Sequence, residues 1–310
     1  MNLISRSVPH KKITLFFIVL LLFPSTSSCL NAGQISTAAI VIEFEDGLER
    51  VSEKVLAMYP ALKSEIEHTL DWPLDFRIHV HMLHRAAFQN IMKGKQAAAY
   101  AVPEKHLIVI DTSKIRETPF SLDATLKHEM THLLLHHHIN TGQLPKWLDE
   151  GIAQWISGEA TEILSGGKGK RFQQAGLSGR LMPLSRLHTH FPEDETSVLL
   201  AYAQSKSVVE YLHREYGISG LRRLLKTLKA GETLQNAVFN SLSLSLADLE
   251  KAWQAHLKKK VTWIAFLGNN LMLLLFTFGG LLTVYGFIRF IIKKRAYKDD
   301  EADLNDTDFL

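Results

Sequence analysis

The chain has 310 residues, enough for one large or two small domains, and its 46% hydrophobic and 22% charged content is ordinary for a folded protein. A net charge of +3 is too small to build an electrostatic nucleic-acid surface, and no aromatic-basic platform for single strands is present, so nucleic acid is excluded as a partner. A single cysteine, Cys29, excludes an intrachain disulfide framework.

The N-terminus carries Arg6, Lys11 and Lys12, then an apolar run from Ile13 to Phe23, then Pro24 and small polar residues up to Cys29. That is the layout of a secretory signal, assigned to residues 1–32, and its apolar run is too short for a membrane span. Cleavage near Cys29 and cleavage near Ala32 both remain open. Cys29 at the boundary raises a lipoprotein reading, although Thr26, Ser27 and Ser28 lack the leucine usual before a lipidated cysteine.

Residues 33–260 are read as one α+β domain. Ile35 to Leu70 is predicted to be helical, with Leu48, Val51, Val55, Leu56 and Met58 on one apolar face and Leu62, Ile66 and Leu70 on another after Pro60. Residues 75–82 alternate strictly, which predicts a strand with Phe76, Ile78, Val80 and Met82 facing a core and His79 and His81 exposed on the other side. A helical patch around Phe88 and the stretch from Ala97 to Val102 lead to a second strand over 105–111.

The most informative stretch is His128, Glu129, Met130, Thr131, His132, an HExxH segment. Ser121 or Asp123 can cap a helix here, and Leu122, Leu126, Met130, Leu133 and Leu134 give it a buried stripe. On that helix His128 and His132 share one face and can grip a zinc ion from one side, while Glu129 can take a proton from a metal-bound water. Downstream of it, the segment from Pro145 to Ala153 contains Trp147, Leu148, Asp149, Glu150 and Gly151, with seventeen residues between His132 and Glu150. A carboxylate on such a helix, pinned on its buried side, is one way to complete the ligand set.

The two segments together resemble the gluzincins, the peptidase MA clan of zinc metallopeptidases. The resemblance implies a zincin-like domain with a small mixed sheet and a helical C-terminal half. It also implies His128, His132 and Glu150 as zinc ligands, Glu129 as general base, and a protein or peptide as substrate. Another candidate for third ligand is His138, which falls where the metzincin pattern HExxHxxGxxH has its last histidine. The glycine that bends the chain in that pattern is Leu135 here, so the helix should continue and Glu150 is favoured. In gluzincins the strand before the HExxH helix forms a substrate edge, which assigns that role to residues 105–111. Some gluzincins also carry an acidic residue four positions after the third ligand, where this chain has Gln154.

Asn140 to Gln143 reads as a turn, and the glycine-lysine stretch from Ser165 to Lys170 as a flap or linker, since it lacks P-loop spacing. Helices are predicted over 199–216, 221–229, 234–239 and 246–257. The first resembles the downstream helix of peptidase MA-like proteins, which in several gluzincins carries an oxyanion-binding tyrosine. Tyr202 is the candidate for that role, the other reading being a tyrosine that simply packs. Residues 261–292 are read as a membrane span: Val261 to Ile288 is apolar and long enough to cross a bilayer, with Trp263 and Tyr285 placed as interface aromatics, and an acidic tail, 293–310, follows, predicted to be unstructured from Asp299 onward.

The expectation is a membrane-anchored zinc peptidase, an endopeptidase because no aminopeptidase-type Gly-x-Met-Glu-Asn segment is present. Its domain is exported to the periplasmic side of a bacterial membrane and its tail is cytosolic. The alternative is a membrane-tethered binding or scaffold module with the same fold and no turnover. Glu129 argues against it, because a structural zinc site has no use for a base beside its ligands.

Overall fold

The computed structural model describes residues 32–92, 97–116, 121–140, 142–158, 175 and 181–306, with the backbone alone for 32, 116, 260–271, 273–274 and 294–306. Residues 1–31, where a signal was expected, Cys29 included, and the stretch from Ser165 to Lys170 lie outside the described residues.

The first described stretch departs from the predicted helix. Ala32–Ser36 (β1) and Ile40–Glu45 (β2) form an antiparallel hairpin, and only Glu49–Leu70 (α1) is helical. The β-branched run Ile40, Val41 and Ile42 is buried and suits a pleated surface, while the Thr37 hydroxyl accepts from the Ala39 and Ile40 amides to turn the chain. Helix α1 runs straight through Pro60. Its buried side is one stripe, Val55, Tyr59, Leu62, Ile66 and Leu70, so the two predicted faces are one face on either side of the proline.

Strand β3 (Ile78–Leu83), helix α2 (Arg85–Met92), strand β4 (Ala99–Val102) and strand β5 (Leu107–Asp111) follow. The five strands form one mixed sheet in the order β1-β2-β3-β5-β4, with β2-β3 and β3-β5 parallel and β4-β5 antiparallel. Ile42, Val80 and Ile108 lie side by side across it and are fully buried. The predicted alternation in β3 holds: Ile78, Val80 and Met82 are buried, His79 is exposed, and His81 is half-buried with Nε2 2.9 Å from Glu43. One expectation is corrected. The 105–111 segment is paired on both sides, by β3 and β4, so it cannot be an edge; the sheet's edge strands are β1 and β4, and β4 is the one packed beside α3.

Helix α3 (Leu122–His138) packs against α1, β4 and β5, burying Leu126, Met130, Leu133, Leu134 and Leu135. Each such side chain contributes about 1.5–3 kcal/mol relative to an exposed one. Helix α4 (Lys146–Ser157) lies between α3 and α5 (Glu195–Lys229). The α4–α5 approach is close because Gly151 has no side chain: a Cβ there would meet the Ser205 carbonyl oxygen at 2.4 Å and Val209 Cγ2 at 2.7 Å. Helix α5 breaks at Gly217, whose φ of 67° needs a glycine, between the two helices predicted for this region. Helix α6 (Leu234–Leu242) and the 61-residue helix α7 (Leu246–Asp306) complete the chain.

The start of α7 belongs to the domain core through Leu249, Trp253 and Leu257, and Leu275–Lys293 within it is long and apolar enough to cross a membrane. The helix continues through the tail predicted to be unstructured. Adding residues to a helix already formed over the preceding turns is cheap compared with nucleating one, which carries it past Asp299 as far as Asp306.

At the end of α3, His137 and His138 join His106 against the 72–76 loop. Phe76 stacks on His106 at 4.0 Å between ring centroids and lies 4.5 Å from His137, and Trp72 lies 4.8 Å from His138. His138 Nε2 bonds the Pro73 carbonyl at 3.1 Å, and Lys229 Nζ donates to its Nδ1 at 2.9 Å. Burial, His137 and His79 lower the pKa of His106, so the folded protein disfavours its cationic form. Stability tied to neutral His106 is therefore present above about pH 6.5 and lost as pH falls below it.

Two measurements follow from this packing. In thermal melts from pH 7.5 to 5, His106→Asn, which tolerates the left-handed backbone at that position, should lose less stability on acidification than the wild type. In urea unfolding, Gly151→Ala should lose about 1–3 kcal/mol by overpacking. Gly142→Ala, with no atom within 4 Å of the added carbon, should lose far less.

Candidate metal and catalytic site

The site is built where α3 faces α4. The backbone amides of Lys146 and Trp147, which open α4 without a side-chain cap, donate to the His188 and Leu187 carbonyls at 2.7 and 3.1 Å. Trp147 and Leu148 are fully buried, which fixes the rotation of the helix. From α5, the Gln204 side chain clamps the backbone of Met182, accepting from its amide at 3.0 Å and donating to its carbonyl at 2.9 Å.

Held this way, α4 turns Glu150 toward the two histidines of α3. The Nε2 atoms of His128 and His132 are 3.1 Å apart, and Glu150 Oε2 is 3.6 Å from each. For bonds of about 2.0–2.2 Å in tetrahedral coordination, donor atoms sit about 3.3–3.5 Å apart, so this triangle is close to one face of a zinc tetrahedron. Two imidazoles and one carboxylate, all nearly buried, are also the donor types zinc takes. The three residues could hold a metal ion together. His138 is not among the metal-capable groups of the described residues and points to Pro73 and Lys229 instead.

Two neighbours of this triangle were not singled out by sequence. Asp149, buried, accepts at 2.6 Å from His132 Nδ1 and lies 3.2 Å from His136 Nε2. It thereby fixes which nitrogen of His132 faces Glu150. Lys146 Nζ lies 2.8 Å from Glu150 Oε1 and 3.4 Å from Asp149 Oδ2. The orienting carboxylate of this site is Asp149. Gln154 is buried, and neither of its amide atoms has a hydrogen-bond partner among the described residues.

The electrostatics are those of a concentrated mixed cluster. At His132, burial opposes charge but Asp149 and Glu150 outweigh it, and the imidazole pKa is raised well above its ordinary value. His128 is raised too, its burial outweighed by Glu150 and Glu129. Glu150 is held well below the usual carboxylate range, with burial opposing and His132, His128 and Lys146 prevailing. Burial also opposes at Asp149, where His132, His136 and Lys146 prevail and lower its pKa. Glu129 is buried on α3 between the two histidines. Tyr202, on α5, packs edge-on against Phe191 at 5.1 Å and feels the Glu150 and Glu129 carboxylates, which with burial keep its phenol protonated. The structure therefore brings His128, Glu129, His132, Glu150 and Tyr202 into one neighbourhood.

The sequence matches the Peptidase MA superfamily over residues 87–259, more than half of the chain and including both the HExxH segment and the Glu150 segment. No curated protein matches it. Among solved structures, the M1 zinc metallopeptidase from Deinococcus radiodurans is similar at 15% identity and a TM-score of 0.45, over 72% of this chain and 50% of that one. Yeast LTA4 hydrolase in complex with Bestatin is similar at 9% identity and a TM-score of 0.42, over 74% of this chain and 37% of that one. The chain spans half or less of the length of these proteins. With its HExxH helix, its downstream Glu150 helix and a match that runs through both, the chain belongs to the Peptidase MA superfamily.

Proposed function

We propose that this protein is a membrane-anchored zinc peptidase that hydrolyses internal peptide bonds. The observation that carries the reading is the convergence of His128 Nε2, His132 Nε2 and Glu150 Oε2, with the Glu129 carboxylate on the same helix as both histidines. Bound by these three residues, zinc supplies Lewis acidity, acidifying a water and polarising a substrate carbonyl. Glu129 takes the proton of the attacking water and delivers it to the leaving amine. The Tyr202 phenol, kept protonated by its neighbours, donates a hydrogen bond to the negative charge that develops on the scissile carbonyl. Asp149 holds His132 in the tautomer that turns Nε2 toward Glu150.

The free edge of β4 is where an extended substrate would pair by its main chain, since α3 packs beside it. On α7, Phe276, Leu281, Phe287 and Phe290 are each more than 60% exposed and are suited to lipid. In this reading residues 1–32 direct export, 33–260 form the catalytic domain on the outer face, 261–292 span the membrane and 293–310 face the cytosol.

Glu129→Gln tests the enzyme reading against a non-catalytic binding module. Hydrolysis of an unstructured protein substrate such as casein should fall by about 10²–10⁴-fold, with zinc content and thermal melting unchanged. Equal turnover in the variant and the wild type would refute the role given to Glu129. Absence of turnover in both, with zinc bound, would favour the binding module.

A further inference from the structure

Lys146 opens α4 four residues before Glu150, so the helix brings its ammonium back over that carboxylate. The two oxygens of Glu150 consequently have different partners. Oε1 meets Lys146 Nζ at 2.8 Å, whereas Oε2 faces the Nε2 atoms of His128 and His132 at 3.6 Å. Lys146 reaches in from the rim, its side chain 38% exposed against 7% for Glu150. Its second carboxylate partner, Asp149, keeps the ammonium over the pair of acids rather than in solvent.

We propose that Lys146 is a positioning residue that reserves one oxygen of Glu150, so that only the other is offered to the metal. The proposal rests on the zinc-peptidase reading and adds a function to a side chain with no part in that reading. A cation hydrogen-bonded to a ligand carboxylate acts in two ways. It fixes the carboxylate's orientation, and its charge withdraws donor strength from the ligand and repels the incoming metal ion. Lys146 therefore orders Glu150 at a cost in metal affinity, and it leaves open the coordination position that a second carboxylate oxygen would fill.

The sign of the effect separates this role from a purely structural one. Losing a contact that merely props up the site loosens the metal. Losing Lys146 should instead tighten it, because the competing charge is gone and the second oxygen is released. The test uses the full chain in detergent, as wild type, Lys146→Met and Lys146→Arg, with zinc affinity read by chelator competition and zinc coordination by X-ray absorption. Lys146→Met should bind zinc about tenfold more tightly and gain one oxygen donor, while Lys146→Arg, which keeps the charge, should match the wild type. If Lys146→Met does not fold, as judged by circular dichroism, Lys146→Gln carries the same expectation of tighter binding.

Zinc bound equally or more weakly by the uncharged variant would overturn the assignment of Lys146 and leave the zinc site intact. A folded wild type that binds no zinc would overturn the proposed function and this inference together.

Discussion

Burying Glu150 beside two imidazoles is the constraint on which the rest of the arrangement depends. A carboxylate in this position is costly unless its charge is met, and here it is met by His128, His132 and Lys146 at once. Those partners come from two helices, so their meeting depends on how closely α4 can approach its neighbours. Gly151, directly after Glu150, lets α4 sit against the backbone of α5 at Ser205, and the carboxylates on its opposite side are then carried toward α3. A site of this kind is set by helix packing more than by any loop.

The same accounting explains why the cluster suits a divalent cation. Two buried carboxylates, Asp149 and Glu150, are held ionised, and both imidazoles between them have raised pKa values. The folded protein thus already gathers positive charge at the point where the three donor atoms converge. A metal ion would take over that charge and release protons, which couples its binding to pH. Glu129 lies on α3 beside both histidines, and the Tyr202 phenol feels the Glu150 carboxylate from α5.

The chemistry was legible in the sequence to the extent that it is local. His128 and His132 are one helical turn apart, and Trp147, Leu148 and Gly151 mark a helix with one pinned side, so both segments could be read without a fold. The contacts that Asp149 and Lys146 make could not, because they depend on the rotation of α4 about its axis relative to α3. Their signal was present as an acid beside the candidate ligand and a lysine four residues before it. At the fold level, the strict alternation in β3 identified it, whereas the near-continuous burial of Ile40, Val41 and Ile42 in β2 left no alternation to read. Taking 105–111 for an edge failed for a related reason. Strand order is a non-local property, and β4 returns antiparallel to cover β5.

The most direct test of the central claim is zinc content per chain, measured on the purified full-length protein as wild type, Glu150→Ala and His138→Ala. One zinc is expected in the wild type, lost with Glu150→Ala and retained with His138→Ala, since the His138 side chain is engaged with Pro73 and Lys229. Zinc retained without Glu150 and lost without His138, or no zinc in a folded wild type, would contradict it.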